Sequence, residues 1–156
     1  MANGNREIER KYLLNGLPLH ARTVPALDII QGYLPGVRIT ERLRRTVSGG
    51  SARYYRTIKS GVGIDKLEVE EEVDRTFFET VWPLTRGHRV EKRRYAVPEG
   101  DGVWEVDEFV DRSGLWLAEV ELKSVSQRVV VPEWLEPYVV REVTDEANYA
   151  NYVLSK

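Results

Sequence analysis

Apolar and polar residues alternate along most of this chain with the period of two that an extended strand imposes, because successive strand side chains point to opposite faces. The alternation predicts strands at residues 6–14, 37–47, 52–60, 66–73, 87–97, 103–110 and 115–123. Residues 31–34 and 139–143 have the same character and are candidates for further strands. Glycine-bearing loops punctuate the runs: Ser48-Gly49-Gly50-Ser51, Ser60-Gly61-Val62-Gly63, Glu99-Gly100-Asp101-Gly102 and Arg112-Ser113-Gly114. Each lies between two alternating runs, the signature of a hairpin. Helical spacing is rare. Asp74 reads as an N-cap followed by Phe77, Phe78, Val81 and Trp82, until Pro83 and Gly87 end the run. Asp145 reads as a second cap, with Tyr149, Tyr152 and Val153 on one face, and residues 25–30 are a third candidate helix. The expected fold class is α+β, mainly β: consecutive antiparallel hairpins closed into a barrel or sandwich, with a few helices packed outside.

The polar side of this alternation is unusual, since it carries ionic groups of both signs on almost every strand. Residues two apart share a face. Glu7, Glu9 and Lys11 lie together, as do Arg42 with Arg44, Tyr55 with Thr57 and Lys59, and Glu68 with Glu70 and Glu72. The pattern continues in Lys92 with Arg94, Glu105 with Asp107, and Glu119 with Glu121 and Lys123. One such strand describes a solvated sheet face. Seven in succession describe something else, because a closed sheet has only an inside and an outside. If the apolar faces meet helices and one another outside, the ionic faces line a wet interior that needs a charged guest.

Length and composition narrow the picture. A chain of 156 residues fits one domain, 1–156, with a real hydrophobic core. Without cysteine, disulfides, thiolate nucleophiles and thiolate zinc sites are excluded. A polar, charged Met1–Arg10 segment argues against a signal peptide, and no apolar stretch approaches a membrane span, so the expected location is cytoplasmic. The net charge of −2 gives no whole-chain footprint for nucleic acid, and none is expected as a partner. Apolar outer strand faces suit covering helices or a second subunit equally, which leaves a homodimer open.

The charges also specify the guest. Two carboxylates about 5 Å apart repel by roughly 3 kcal/mol at an effective dielectric of 20. A cluster of Glu7, Glu9, Glu119 and Glu121 therefore calls for a cation, and oxygen ligands suit a hard divalent ion, Mg²⁺ or Mn²⁺. Lys11, Arg42, Arg44, Lys59, Lys92 and Arg94 call for a polyanion, and guanidinium forks match phosphate oxygens. A metal-chelated polyphosphate satisfies both sets. His20 and His88 stand alone in turn-like surroundings, and Trp82, Trp104, Trp116 and Trp134 read as packing residues.

The residues in this order resemble the CYTH superfamily, the triphosphate tunnel metalloenzymes. Glu7-Ile8-Glu9-Arg10-Lys11 matches its Glu-x-Glu-x-Lys signature. Gln31-Gly32-Tyr33-Leu34, Arg42-Leu43-Arg44, Tyr54-Tyr55-Arg56-Thr57-Ile58-Lys59 and Glu68-Val69-Glu70 follow. Then come Glu91-Lys92-Arg93-Arg94-Tyr95, Trp104-Glu105-Val106-Asp107, Ala118-Glu119-Val120-Glu121-Leu122, Pro132-Glu133-Trp134 and Glu142-Val143-Thr144. The resemblance covers nearly the whole chain. It implies an eight-stranded antiparallel barrel forming a tunnel, and metal-dependent hydrolysis of triphosphates, with inorganic tripolyphosphate cleaved to pyrophosphate and phosphate as the favoured reaction. Glu7, Glu9, Glu119 and Glu121 would form the metal wall, with Glu68, Glu70 and Asp107 as further tunnel acids. Lys11, Arg42, Arg44, Lys59, Lys92 and Arg94 would bind phosphate, and Lys11, Tyr33 and Lys92 are the catalytic candidates. Two departures stand out: Lys66 where the family often has arginine, and Asn148-Tyr149-Ala150-Asn151 where its closing helix commonly reads Arg-Tyr-Lys-Asn. An organic triphosphate enzyme of the same fold and a non-catalytic polyphosphate- or nucleotide-binding module remain the alternatives.

Overall fold

The computed structural model describes residues 6–37, 39–61 and 64–156. Residues 1–5, Arg38 in the predicted strand 37–47, and Val62 and Gly63 in the second hairpin loop lie outside them. The described residues form nine strands: β1 (Arg6–Leu14), β2 (Ala26–Leu34), β3 (Thr40–Ser48), β4 (Ser51–Ser60), β5 (Asp65–Val73), β6 (Arg89–Glu99), β7 (Gly102–Phe109), β8 (Trp116–Glu121) and β9 (Val139–Glu142). Neighbours follow the order β5-β4-β3-β2-β6-β7-β8-β1, and β1 returns to β5, so eight strands close into a barrel. Every pairing is antiparallel. β1 holds the seam. One of its edges pairs with β8 from Glu9 to Leu14, while β5 takes Arg6 to Ile8 and the short β9 takes Tyr12 to Leu14.

Local chemistry explains the hairpins. β3 and β4 join through Gly49 and Gly50 alone, both at positive φ (56° and 80°). That left-handed pair is what a two-residue turn between twisted strands demands. Asp74 caps α1 (Arg75–Val81), its carboxylate accepting from the Phe77 amide at 2.7 Å, and a 3-10 turn (Trp82–Thr85) continues the run to Gly87. Gly32 of β2 allows that turn to lie directly on the sheet: a Cβ there would stand 2.5 Å from Thr85 Cβ.

The alternation sorts the two faces as expected, and the apolar core lies outside the barrel. Tyr12, Leu14, Tyr95, Val97, Trp104, Val106 and Val120 project outward and are buried with Ala21 and Leu135, flanked by Val129, Val131 and Trp134. Burying a side chain of this size contributes roughly 1.5–3 kcal/mol. A smaller apolar cluster has the inward parity: Val90, Phe109 and Leu117, with Leu13 against them and Leu154 of α2 (Asn151–Leu154). These residues fill part of the interior that would otherwise hold water.

Three expectations are corrected. Residues 25–30 are not helical. Ala26 begins β2, because Leu27, Ile29, Gln31 and Tyr33 alternate and both strand edges find partners in β3 and β6. β3 starts at Thr40 rather than residue 37, and Val37 is fully exposed. Asp145 caps no helix: a 3-10 turn at Ala147–Tyr149 comes first, and extended Ala150 precedes α2. The Tyr149 carbonyl accepts from Lys11 Nζ at 3.0 Å instead of propagating a helix.

Gly32→Ala should destabilise the protein by about 1–3 kcal/mol, the usual cost of overpacking a close contact. Thermal denaturation checks this, and Thr85→Gly in the same chain should recover part of the loss. An unchanged melting temperature in the single variant would show that the turn is free to move away.

Candidate active site

Strand register builds the site. Across β2, β3, β4 and β5, Tyr33 lies opposite Arg42, Arg42 opposite Thr57, and Thr57 opposite Glu70. One row along, Gln31 lies opposite Arg44. On the other side of the barrel, Glu9 lies opposite Glu121, Lys11 opposite Glu119, and Glu119 opposite Glu105. Like charges directly across a sheet are destabilising, yet this sequence places carboxylate against carboxylate twice.

These rows enclose a cavity of about 320 Å³ lined by Glu7, Glu9, Lys11, Tyr33, Arg42, Arg44, Lys59, Lys66, Glu68, Glu70, Arg94, Glu105, Glu119 and Glu121. Arg44, Glu70, Arg94 and Glu105 also line a second cavity of about 470 Å³ with Leu27, Thr46, Arg53 and Tyr55. The ionic interior thus runs along the barrel as a tunnel. All but two of the site residues read from the sequence meet on these walls. Lys92 and Asp107 lie beneath them. Both are 1% exposed, and Lys92 Nζ is 2.8 Å from Asp107 Oδ2 and 3.1 Å from Asn151 Oδ1. Asp107 also takes the fork of Arg94, Oδ1 accepting from Nε at 2.7 Å and Oδ2, shared with Lys92, accepting from Nη2 at 2.9 Å. Lys92 is therefore a support for the wall, not part of its surface.

The basic side is held open toward the cavity by such partners. Arg94 also donates to Glu105 at 3.0 Å. Arg42 Nη2 donates to Thr57 Oγ1 and Glu70 Oε2, while its buried Nε has no partner among the described residues. Burial, then Arg42 and Arg94, lower Arg44 to about 10. Burial likewise pushes Lys92 down to about 7 against the pull of Asp107. Asp107 itself would be raised by burial, but Arg94 and Lys92 hold it below its ordinary value.

The acidic side is frustrated. Burial, Glu119 and Glu7 raise the Glu9 carboxyl to about 8, despite Lys66 Nζ donating to it at 2.9 Å. Burial also raises Glu121, helped by Glu7, Glu105 and Glu9. Glu119 would be raised by burial too, yet Lys11, Arg94 and Lys92 hold it well below the carboxylate range. Its buried Oε1 nevertheless accepts no hydrogen bond from the described residues, and Lys11 Nζ stands 3.4 Å away as an ion-pair partner. Lys59 neutralises Glu7 at 3.0 Å and Glu68 at 3.3 Å. With the side chains so placed, no three carboxylates among the described residues converge as a ready ligand set. The unpartnered oxygen, the proton-retaining Glu9 and the all-oxygen donor set nonetheless fit a hard cation, with Lys66 and Lys11 holding counter-charge.

Three contributors escaped the sequence reading as site residues. Lys66 shares the inward parity of Glu68 and Glu70, a readable signal. Gln31 shares that of Tyr33 but carries no charge. Asn151 reaches Lys92 from a four-residue helix whose position no periodicity reveals.

An ionic tunnel inside a closed antiparallel barrel is the architecture of a polyanion-binding protein. The chain is 40% identical to an inorganic triphosphatase of Nitrosomonas europaea, the match covering 96% of either protein. It is 30% identical to an inorganic triphosphatase of Acetivibrio thermocellus, over 97% of this chain and 94% of that one. A crystal structure of an inorganic triphosphatase superposes with a TM-score of 0.64 at 37% identity, over 96% of this chain and 93% of the other. No family model matches. The chain belongs to the inorganic triphosphatase family.

A carboxyl raised from 4.5 to about 8 on folding keeps a proton that the unfolded chain has lost, so its contribution falls as pH rises through that window. In excess chelator, Glu9→Gln should therefore melt higher than the parent, with the gap widening from about pH 5 to about pH 8.5. A gap that is constant or narrows with rising pH would show that Lys66 compensates Glu9 fully.

Proposed function

We propose that this chain hydrolyses inorganic triphosphate to pyrophosphate and orthophosphate, with a hard divalent cation, Mg²⁺ or Mn²⁺, held on its acidic wall. The observation that carries the reading is the facing of two walls within one interior. Glu7, Glu9, Glu119 and Glu121 stand on one side, and Arg42, Arg44, Lys59 and Arg94 line the same cavity. Activity toward inorganic triphosphate is what the names of the Nitrosomonas and Acetivibrio relatives state for those proteins. The eight-stranded barrel with this interior supports placing the chain among the triphosphate tunnel metalloenzymes of the CYTH superfamily.

Glu9 and Glu119, with Glu7 and Glu121, would hold the cation, which when bound neutralises phosphate oxygens and orients a water molecule. The chain's own cations do the rest. Phosphoryl transfer needs little covalent chemistry from a protein; positioning and charge stabilisation dominate. Arg94, pinned by Asp107 and Glu105, offers a fixed guanidinium to the substrate. Arg42 lines the same cavity and carries a buried Nε–H that has no acceptor among the described residues. Lys11 joins the acidic wall to the C-terminal segment through Glu119 and the Tyr149 carbonyl. Lys92, fully enclosed, acts through Asp107 on the orientation of Arg94.

The test separates the two walls. Arg44→Ala removes a guanidinium that Gln31 holds in plane with its remaining N–H groups free for phosphate, and should lower kcat/KM for tripolyphosphate at least about tenfold, with little recovery on adding metal. Arg44→Lys should recover only part of that loss, since an ammonium keeps the charge without the planar fork. Glu119→Gln should lose as much at low Mn²⁺ but recover as Mn²⁺ is raised, because mass action refills a weakened site. Initial rates across metal and tripolyphosphate concentrations decide it, with ATP and thiamine triphosphate as competing substrates. Full activity of the parent in excess EDTA would overturn the metal assignment, and equal rescue of both variants by metal would overturn the division of the walls.

A further inference from the structure

Gln31 is a fully buried neutral amide set among charges in the middle of the inward face of β2. A buried amide is costly unless its polar atoms are bonded, and the partners of this one determine its orientation. Arg44 Nε and Nη2 both donate to Gln31 Oε1, at 3.0 and 2.8 Å. A guanidinium has only donors, so the amide oxygen must be the atom that faces it. The amide nitrogen is then turned to Tyr33, where it donates to Oη at 3.2 Å.

Two consequences follow from counting donors. Arg44 has five N–H groups; the fork on Gln31 uses two and fixes the plane, leaving the other three for the cavity that Arg44 lines. Tyr33 Oη accepts from Gln31, so its own hydrogen remains to be donated, and Tyr33 lines the same cavity. Its ring is braced edge-on by Tyr152 at 5.3 Å.

We propose that Gln31 is a positioning residue that sets Arg44 and Tyr33 as a matched pair of donors toward phosphate oxygens. It assigns Tyr33 the role of hydrogen-bond donor to the substrate rather than that of proton acceptor from water. The inference rests on the phosphate-binding reading of the basic wall but concerns which way its hydrogen bonds run.

Gln31→Glu tests it with almost no change in shape. A carboxylate still accepts the Arg44 fork but offers no N–H to Tyr33, whose hydroxyl then turns to donate to the carboxylate. The substrate loses that donor and meets a new negative charge. Binding of tripolyphosphate in EDTA, followed by calorimetry, should weaken about tenfold or more, while the melting temperature confirms the fold. In the presence of metal, Tyr33→Phe should cost several-fold in kcat/KM in the parent and close to nothing in the Gln31→Glu background, since the hydroxyl is already diverted. Gln31→Met, which removes both polar functions without adding charge, should show intermediate weakening and leave Tyr33→Phe with an effect of its own. Additive costs in the Gln31→Glu cycle, or parent-like binding by Gln31→Glu, overturn the positioning role. A parent that binds tripolyphosphate but does not hydrolyse it overturns the proposed reaction and leaves the binding comparison to decide Gln31.

Discussion

A charge leaves bulk water only when something replaces the water, and the interior of this barrel is organised around that demand. Asp107 is its deepest expression. One fully buried carboxylate serves both Lys92 and the fork of Arg94, with Glu105 sharing Arg94 on the cavity side. Removing one partner from such an arrangement leaves an uncompensated charge, which is far more costly than the pair itself. Closer to the cavity the compensation thins. Among the described residues Arg42 Nε finds no hydrogen-bond partner, and Glu119 Oε1 has only the ion pair to Lys11. From Asp107 outward the walls pass from internally satisfied to poised for a guest, and the transition falls where the lining of the cavity begins.

Much of this was legible in the chain because a closed sheet turns residue parity into inside and outside. The ionic pairs singled out by spacing alone, from Glu7 and Glu9 to Glu119 and Glu121, have the inward parity in the structure, except that Lys123, grouped with Glu121, lies beyond the end of β8 and pairs with Asp101 on the exposed surface. Parity does not report depth along the barrel. Lys92 and Arg94 have identical parity, yet only Arg94 reaches the cavity, because Val90, Phe109 and Leu117 fill the region beside Lys92. Gln31 stood in a block that carries the family resemblance but was not read as a site residue, for a different reason: a neutral side chain carries no signal in an argument about charge, although its two ends fix the direction of three hydrogen bonds.

The helical misreadings share a cause. Leu27 and Ile30 are three apart, a spacing that helices and strands with two partners both permit, and β2 is flanked on both edges. Asp145 offers a capping carboxylate, but Lys11 claims the Tyr149 carbonyl and the chain re-extends at Ala150 before α2 begins. In both places a tertiary partner decided between local options of similar energy. Where no such competitor exists, as at Asp74 before α1, the local signal held.

The placement of the apolar core outside the barrel has a consequence for how such a protein can change over generations. On β1, β6, β7 and β8 the outward side chains supply most of the packing, while their immediate neighbours in the chain face the tunnel. Folding and chemistry are thus interleaved one residue at a time and yet drawn from different atoms. At Glu105 the side chain lines the cavity, while Trp104 and Val106 on either side of it are packed in the outer core. Selection can therefore revise which anion the tunnel accepts without disturbing the apolar packing, provided each buried charge of the wall keeps a partner, a freedom denied to enzymes whose catalytic groups are embedded in the apolar core that keeps them folded.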